Sequence, residues 1–173
     1  PGRGKRPEIL FNLKASGPPA LFFVYHVYPL VDIFGPAAWV ESGARYTNLN
    51  DARQYDQFAN TLTVGFQSGG LAQWNWAGGI EIQEAEEFNR IVLTEGTLIR
   101  ENGPWRISTP GGIQEVSPVS YLDETLYTQF LKDVTQDTAW KEDAQTAIDA
   151  ARIGLAAERS VAENQRIQIS DCT

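Results

Sequence analysis

The chain has 173 residues, 42% hydrophobic and 21% charged, with a net charge of −8. That length and composition suit one globular domain with a real core, or one and a small appendage. The negative balance argues against a nucleic-acid partner, because only the short basic start, residues 1–6 (PGRGKR), could neutralise phosphate.

No run approaches the roughly 20 apolar residues that a membrane span needs. The single cysteine, Cys172, permits neither an internal disulfide framework nor a zinc cluster, so a reducing, cytoplasmic setting is expected. No signal-peptide pattern is present. The chain has no methionine and starts at Pro1, which is expected of a piece of a longer protein. Residues 1–7 are expected to be a flexible basic terminus and residues 8–170 a single domain.

In chain order, Glu8 to Leu13 reads as a strand and Lys14 to Pro19 (KASGPP) as a turn. Ala20 to Phe34 is apolar and helical in part. Pro29 predicts a break near Tyr28 or a helix beginning at about Pro29, and Gly35-Pro36 ends the segment. Trp39 to Thr47 alternates as a strand does, and Asn48 to Gln57 is a polar loop.

Asn60 to Ala77 has the cleanest pattern, one long β-hairpin. Leu62, Val64, Phe66, Ala72, Trp74 and Trp76 fall on one face, which is expected to lie under helices. Thr61, Thr63, Gly65, Gln67, Gln73 and Asn75 fall on the other. Ser68-Gly69-Gly70 supplies a turn with a glycine free to take positive φ. Further strands are expected at Phe88–Leu93, Thr97–Glu101, Trp105–Thr109 and Ile113–Val116, separated by glycine turns.

The C-terminal third changes period. A helix starts near Ser120 and carries Leu122, Leu126, Phe130 and Val134 on one face. An alanine-rich helix spans Asp143 to Asn164, with Ala144, Ala147, Ile148, Ala151 and Leu155 as its apolar stripe and Glu158, Arg159 and Glu163 wet. Arg166 to Ile169 returns as a short strand. The predicted class is α+β: an open, mostly antiparallel sheet of about six or more strands with helices packed on one face.

The motifs and their order resemble the C-terminal domain of the glucose-fructose oxidoreductase / inositol dehydrogenase / MocA-like oxidoreductase family. His26 followed by Leu30-Val31-Asp32-Ile33-Phe34-Gly35-Pro36 is similar to a histidine-containing helix ending in Gly-Pro. Asn60 to Asn75 resembles the family's central hairpin, and Ile91 to Leu98 its glutamate–glycine turn. Phe130 to Val134, Glu142-Asp143-Ala144 and the helix running to Arg166 resemble its finish.

The resemblance implies a sugar, polyol or related carbonyl substrate. It also implies a preceding Rossmann domain binding NAD or NADP, and self-association through the open face of the sheet. That partner face is expected at Thr61, Thr63, Gln67, Gln73 and Asn75. No strand–GxGxxG–helix unit occurs in this sequence, and the family's Glu-Lys-Pro junction is missing. No cofactor site is therefore expected in this chain; NAD or NADP is expected for a longer parent.

His26 is the one histidine, suited to moving an alcohol proton while hydride leaves for a nicotinamide. The resemblance implies that role. Phe22 and Pro29 stand where relatives often carry aspartate, which favours a packed histidine instead. Tyr25 and Tyr28 are alternative phenolic acids, or core residues. Lys14 either reaches a substrate cleft or is a plain exposed lysine. Trp76, beside Trp74, is either a sugar platform or a packing residue. Glu81, Glu84, Glu86 and Glu87 read as a solvated edge rather than a metal site.

Overall fold

The computed structural model describes residues 8–22, 24–80, 87–116, 126–136 and 140–171. The expectations for the basic terminus, for Glu81, Glu84 and Glu86, for the helix start at Ser120 and Leu122, and for Cys172 fall outside these residues. The elements are α1 (Leu13–Ser16), α2 (Pro19–Phe22), α3 (Val24–Phe34), β1 (Ala37–Thr47), β2 (Gln57–Phe66) and β3 (Leu71–Gly78). There follow β4 (Phe88–Leu93), β5 (Gly96–Glu101), β6 (Arg106–Thr109), β7 (Gly112–Glu115), α4 (Leu126–Gln136), α5 (Trp140–Glu163) and β8 (Ile167–Gln168).

The α+β class is as expected, but the strands form two four-stranded antiparallel sheets, ordered β3-β2-β1-β8 and β4-β5-β6-β7. The expected single sheet of six or more strands is corrected. Period-two alternation identifies strands; which ladders close is decided by hydrogen bonds between segments. By its contacts the chain forms two compact units, residues 5–81 with 133–173, and residues 82–132 with 1–4.

In the larger unit, the central hairpin pairs Leu62 with Trp74 and Thr61 with Asn75. Leu62, Val64, Phe66 and Ala72 are buried with Val27 and Val31 of α3, Ala150, Ile153, Ala156 and Ala157 of α5, and Ile167 of β8. Thr61, Gln67, Gln73 and Asn75 are exposed and Thr63 is half-buried, so the two faces divide as predicted. The turn holds Gly69 at φ 91°. Gly65 departs from the pattern and is buried, because Trp39 of β1 lies on it.

Three expectations are overturned in this unit. Glu8 to Leu13 is not a strand. Residues Glu8–Phe11 make a 3₁₀ turn, Asn12 alone bridges Gln54, and α1 follows. The Asn12 side chain takes the Lys14 N–H at 3.0 Å and caps α1. Pro29 does not break its helix: α3 runs through it, with Pro29 exposed while Val27 and Val31 anchor the turn in the core. Gly35-Pro36 does end it, the Gly35 N–H returning to the Val31 carbonyl at 2.8 Å.

The apolar stripe of α5 is the third correction. Ala147, Ile148, Ala151 and Leu155 are exposed, and the buried face is Ala150, Ile153, Ala157 and Ser160. Alanine occurs on both sides of this helix, so the sequence periodicity is nearly degenerate and the sheet selects the face.

In the smaller unit, β4 to β7 form a meander with Phe88 opposite Glu101 and Arg106 opposite Glu115. None of its described strand residues is fully buried. Ion pairs join Glu87 to Arg100 (3.5 Å) and Glu101 to Arg106 (2.9 Å) on its surface. The helix carrying Phe130 and Val134 forms as α4, with both side chains exposed.

Candidate functional site

Helix α3 is held by Val27 and Val31, which are buried, so its opposite side carries Tyr25, Pro29, Asp32 and Ile33 outward. His26 lies on the border and is half-buried. Its ring centroid is 4.4 Å from that of Tyr25 and 6.4 Å from that of Trp76 on β3. Trp76 in turn stacks on Trp74, 6.2 Å away at 16°. Two residues apart on one strand, these indoles necessarily share a face.

The fold thus gathers Tyr25, His26 and Trp76 into one aromatic patch, which Trp74 extends. Tyr25 is 59% exposed. Tyr28 turns the other way and packs against the core. Lys14 is exposed on α1, with no ion pair among the described residues. The patch is an open surface. Two depressions, of about 380 and 300 Å³, lie elsewhere: one beside Ala38, Gln67 and Arg152, the other beside Asp32, Gln145 and Asp149. An imidazole between a phenol and an indole can hold or move a proton next to a stacking platform.

A second aromatic group, not anticipated from the sequence, packs against Trp76. Phe11, Tyr55 and Phe58 are buried together, with Tyr46 and Trp76 packed against them. The Tyr55 hydroxyl donates to the Leu10 carbonyl at 2.7 Å. Its signal was a lone aromatic in the polar stretch Asn48–Gln57. Tyr46, whose ring lies 4.7 Å from that of Tyr55, has its phenol pushed up to about 12, first by burial and then by Tyr55.

Among the described residues no group of three or more His, Cys, Asp or Glu is placed to hold a metal ion. No described helix is long and apolar enough to cross a membrane.

No family model and no curated protein matches the sequence. The fold does match solved structures. Biliverdin reductase from Synechocystis sp. PCC 6803, solved with biliverdin and NADP+, superimposes with a TM-score of 0.74 at 16% identity, over 92% of this chain and 50% of that one. Levoglucosan dehydrogenase with NADH gives 0.64 at 12% identity, over 97% and 56%. An oxidoreductase from Agrobacterium radiobacter, in complex with NAD+, L-tartaric acid and magnesium, gives 0.58 at 15%, over 91% and 54%. The chain therefore spans about half the length of the structures it matches, and its fold is that of one half of these oxidoreductases.

Proposed function

We propose that this chain is the substrate-binding and self-association half of an NAD(P)-dependent oxidoreductase acting on a sugar, polyol or related carbonyl compound. The observation that carries the reading is the Tyr25–His26–Trp76 patch, set on a fold whose likenesses hold NADP+ or NADH and are twice as long. An open patch with a proton-carrying ring and a stacking surface suits one wall of a cleft. The dinucleotide half would supply the other wall and the hydride acceptor.

In this reading His26 moves the alcohol proton and Trp76 stacks on the substrate, with Tyr25 at the rim. Lys14 is the outlying substrate contact, and Tyr28 is a support. A second copy covers Thr61, Thr63, Gln67, Gln73 and Asn75. The single cysteine fits a reducing cytoplasm. Phe22 and Pro29, in place of the aspartates that the family resemblance leads one to expect, favour a second reading. In it the domain is non-catalytic and serves dimerisation and ligand or partner binding.

The test uses the chain and the product of its full reading frame. NADH and NADPH fluorescence titrations should show binding by the latter alone. In that protein His26→Ala should lower kcat on sugars or polyols about 10²- to 10⁴-fold. Trp76→Ala should act mainly on KM. Unchanged turnover in His26→Ala would remove the histidine from the reaction, and no turnover of any sugar or polyol by the wild type would leave the non-catalytic reading standing.

A further inference from the structure

Helix α1 is stitched to the loop that joins β1 to β2. The Leu13 N–H donates to the Arg53 carbonyl at 2.9 Å and the Tyr55 N–H to the Phe11 carbonyl at 3.1 Å, with Asn12 bridging Gln54 between them. Lys14 follows Leu13, and its N–H is held by the Asn12 cap. Lys14 and Arg53 therefore stand one residue apart across this seam. Both are exposed, and neither forms an ion pair among the described residues. Asp51, two residues before Arg53, does not pair with it, and the Asp56 carboxylate accepts the Asn48 amide at 2.7 Å.

The seam borders the aromatic patch. Leu13 and Trp76 both pack against Phe11, Tyr55 and Phe58, and Trp76 is the indole beside His26. Tyr46 packs there too. Its phenol is raised by burial and by Tyr55 and drawn back by the positive charge of Arg53, with Glu158 acting the other way. The Arg53 guanidinium thus lies next to the same cluster.

Arg53 also holds an uncommon backbone, φ 64°. Left-handed positions favour glycine and asparagine, and Asn48 (φ 53°) in the same loop follows that preference. The turn that imposes the strain is well bonded. The Arg53 N–H donates to the Asn50 carbonyl at 2.9 Å, and the Asn50 Oδ1 accepts the Gln54 N–H at 2.9 Å. Outliers of this kind persist where their surroundings over-determine them, and they gather at ligand sites. What arginine adds there, and glycine would not, is a forked cation.

We propose that Arg53 and Lys14 form an anion-binding rim beside the Tyr25–His26–Trp76 patch, so that the substrate is a sugar or polyol carrying a carboxylate or phosphate group. The proposal rests on the substrate-wall reading given above and names the class of substrate. A neutral polyol needs a stacking surface and hydroxyl partners, and leaves two exposed cations with nothing to hold. An anionic one uses both: the guanidinium donates to two of its oxygens and the ammonium makes a further contact. On a chain of net charge −8, local cations decide whether such a substrate docks.

The experiment uses the product of the full reading frame. Tryptophan fluorescence is followed at low ionic strength during titration with D-gluconate, a hexitol monophosphate and D-glucitol, with potassium chloride as the control. One of the two anions should bind at least about tenfold more tightly than D-glucitol, and which one does so assigns the rim to carboxylate or to phosphate. Lys14→Gln and Arg53→Gly should each weaken that anion about tenfold and leave D-glucitol unchanged. Arg53→Gly should also hold or raise the urea midpoint, since glycine is unstrained at positive φ, whereas loss of an arginine kept for structure would lower it. No anion binding, equal affinity for D-glucitol and the anions, or anion binding that both variants leave intact would overturn the rim, with the oxidoreductase reading left in place. A product that oxidises no sugar or polyol, anionic or neutral, would overturn that reading, and the titrations would still decide the rim.

Discussion

The indole of Trp39 rests on Gly65, in the space that any side chain at that position would fill: a Cβ there would come within 2.3 Å of the ring. The two residues pair across β1 and β2, and Arg166 covers the outer side of the same indole. One glycine therefore lets a tryptophan lie flat on the open face of the sheet.

Gly65→Ala should destabilise the larger unit by about 1–3 kcal/mol, the usual cost of an overpacked contact. The urea midpoint would report it. In a Trp39→Ala background the same change should cost much less, since the clash has gone. Equal costs in both backgrounds would mean that Trp39 does not occupy this site.

Ser160 of α5 ties the helix to the sheet. Its Oγ accepts the Ser42 backbone N–H at 2.9 Å and donates to the Gln165 carbonyl at 2.6 Å. Ser42 lies just beyond the residues that β8 pairs, so the serine continues the edge where the short strand stops. Ser160→Ala should cost about 1–3 kcal/mol, with faster hydrogen exchange at the Ser42 amide.

The two faces of α5 separate cleanly in a substitution series. Ile153 is 0% exposed and Ile148 is 48% exposed. Ile153→Ala should lose about 2–5 kcal/mol, whereas Ile148→Ala should stay within about 1 kcal/mol of wild type. The reverse order would restore the face read from sequence.

Tyr46 makes stability fall in strong base. Its folded pKa is about 12, above the ordinary 10, so the unfolded chain gives up this proton first as pH rises. The contribution is intact below pH 10 and is lost as pH climbs through the folded value. Tyr46→Phe should flatten the decline in urea midpoint between pH 10 and 12. A phenolate absorbance titration should show one tyrosine fewer titrating late.

Much of this was written locally in the sequence. Alternation along Asn60 to Ala77 assigned the two faces of the hairpin, because side chains two apart on a strand share a face whatever surrounds them. Gly35-Pro36 ended α3, and glycine turns marked the hairpins of the meander. The candidate site was half legible. Tyr25 and His26 are neighbours in the chain, but their meeting with Trp76 needs a helix laid on a strand fifty residues away.

What the tertiary structure alone decided is long-range. The sequence determined that this chain has an α+β fold and a hairpin with one apolar and one polar face, since both follow from period and turn chemistry. It left open which strands join which sheet, and which side of an alanine-rich helix is dry. Whether a proline interrupts α3 and what covers Gly65 were also open. Each of those depends on a partner distant in the chain, and contact free energy, not local propensity, selects among states that the local pattern leaves nearly equal.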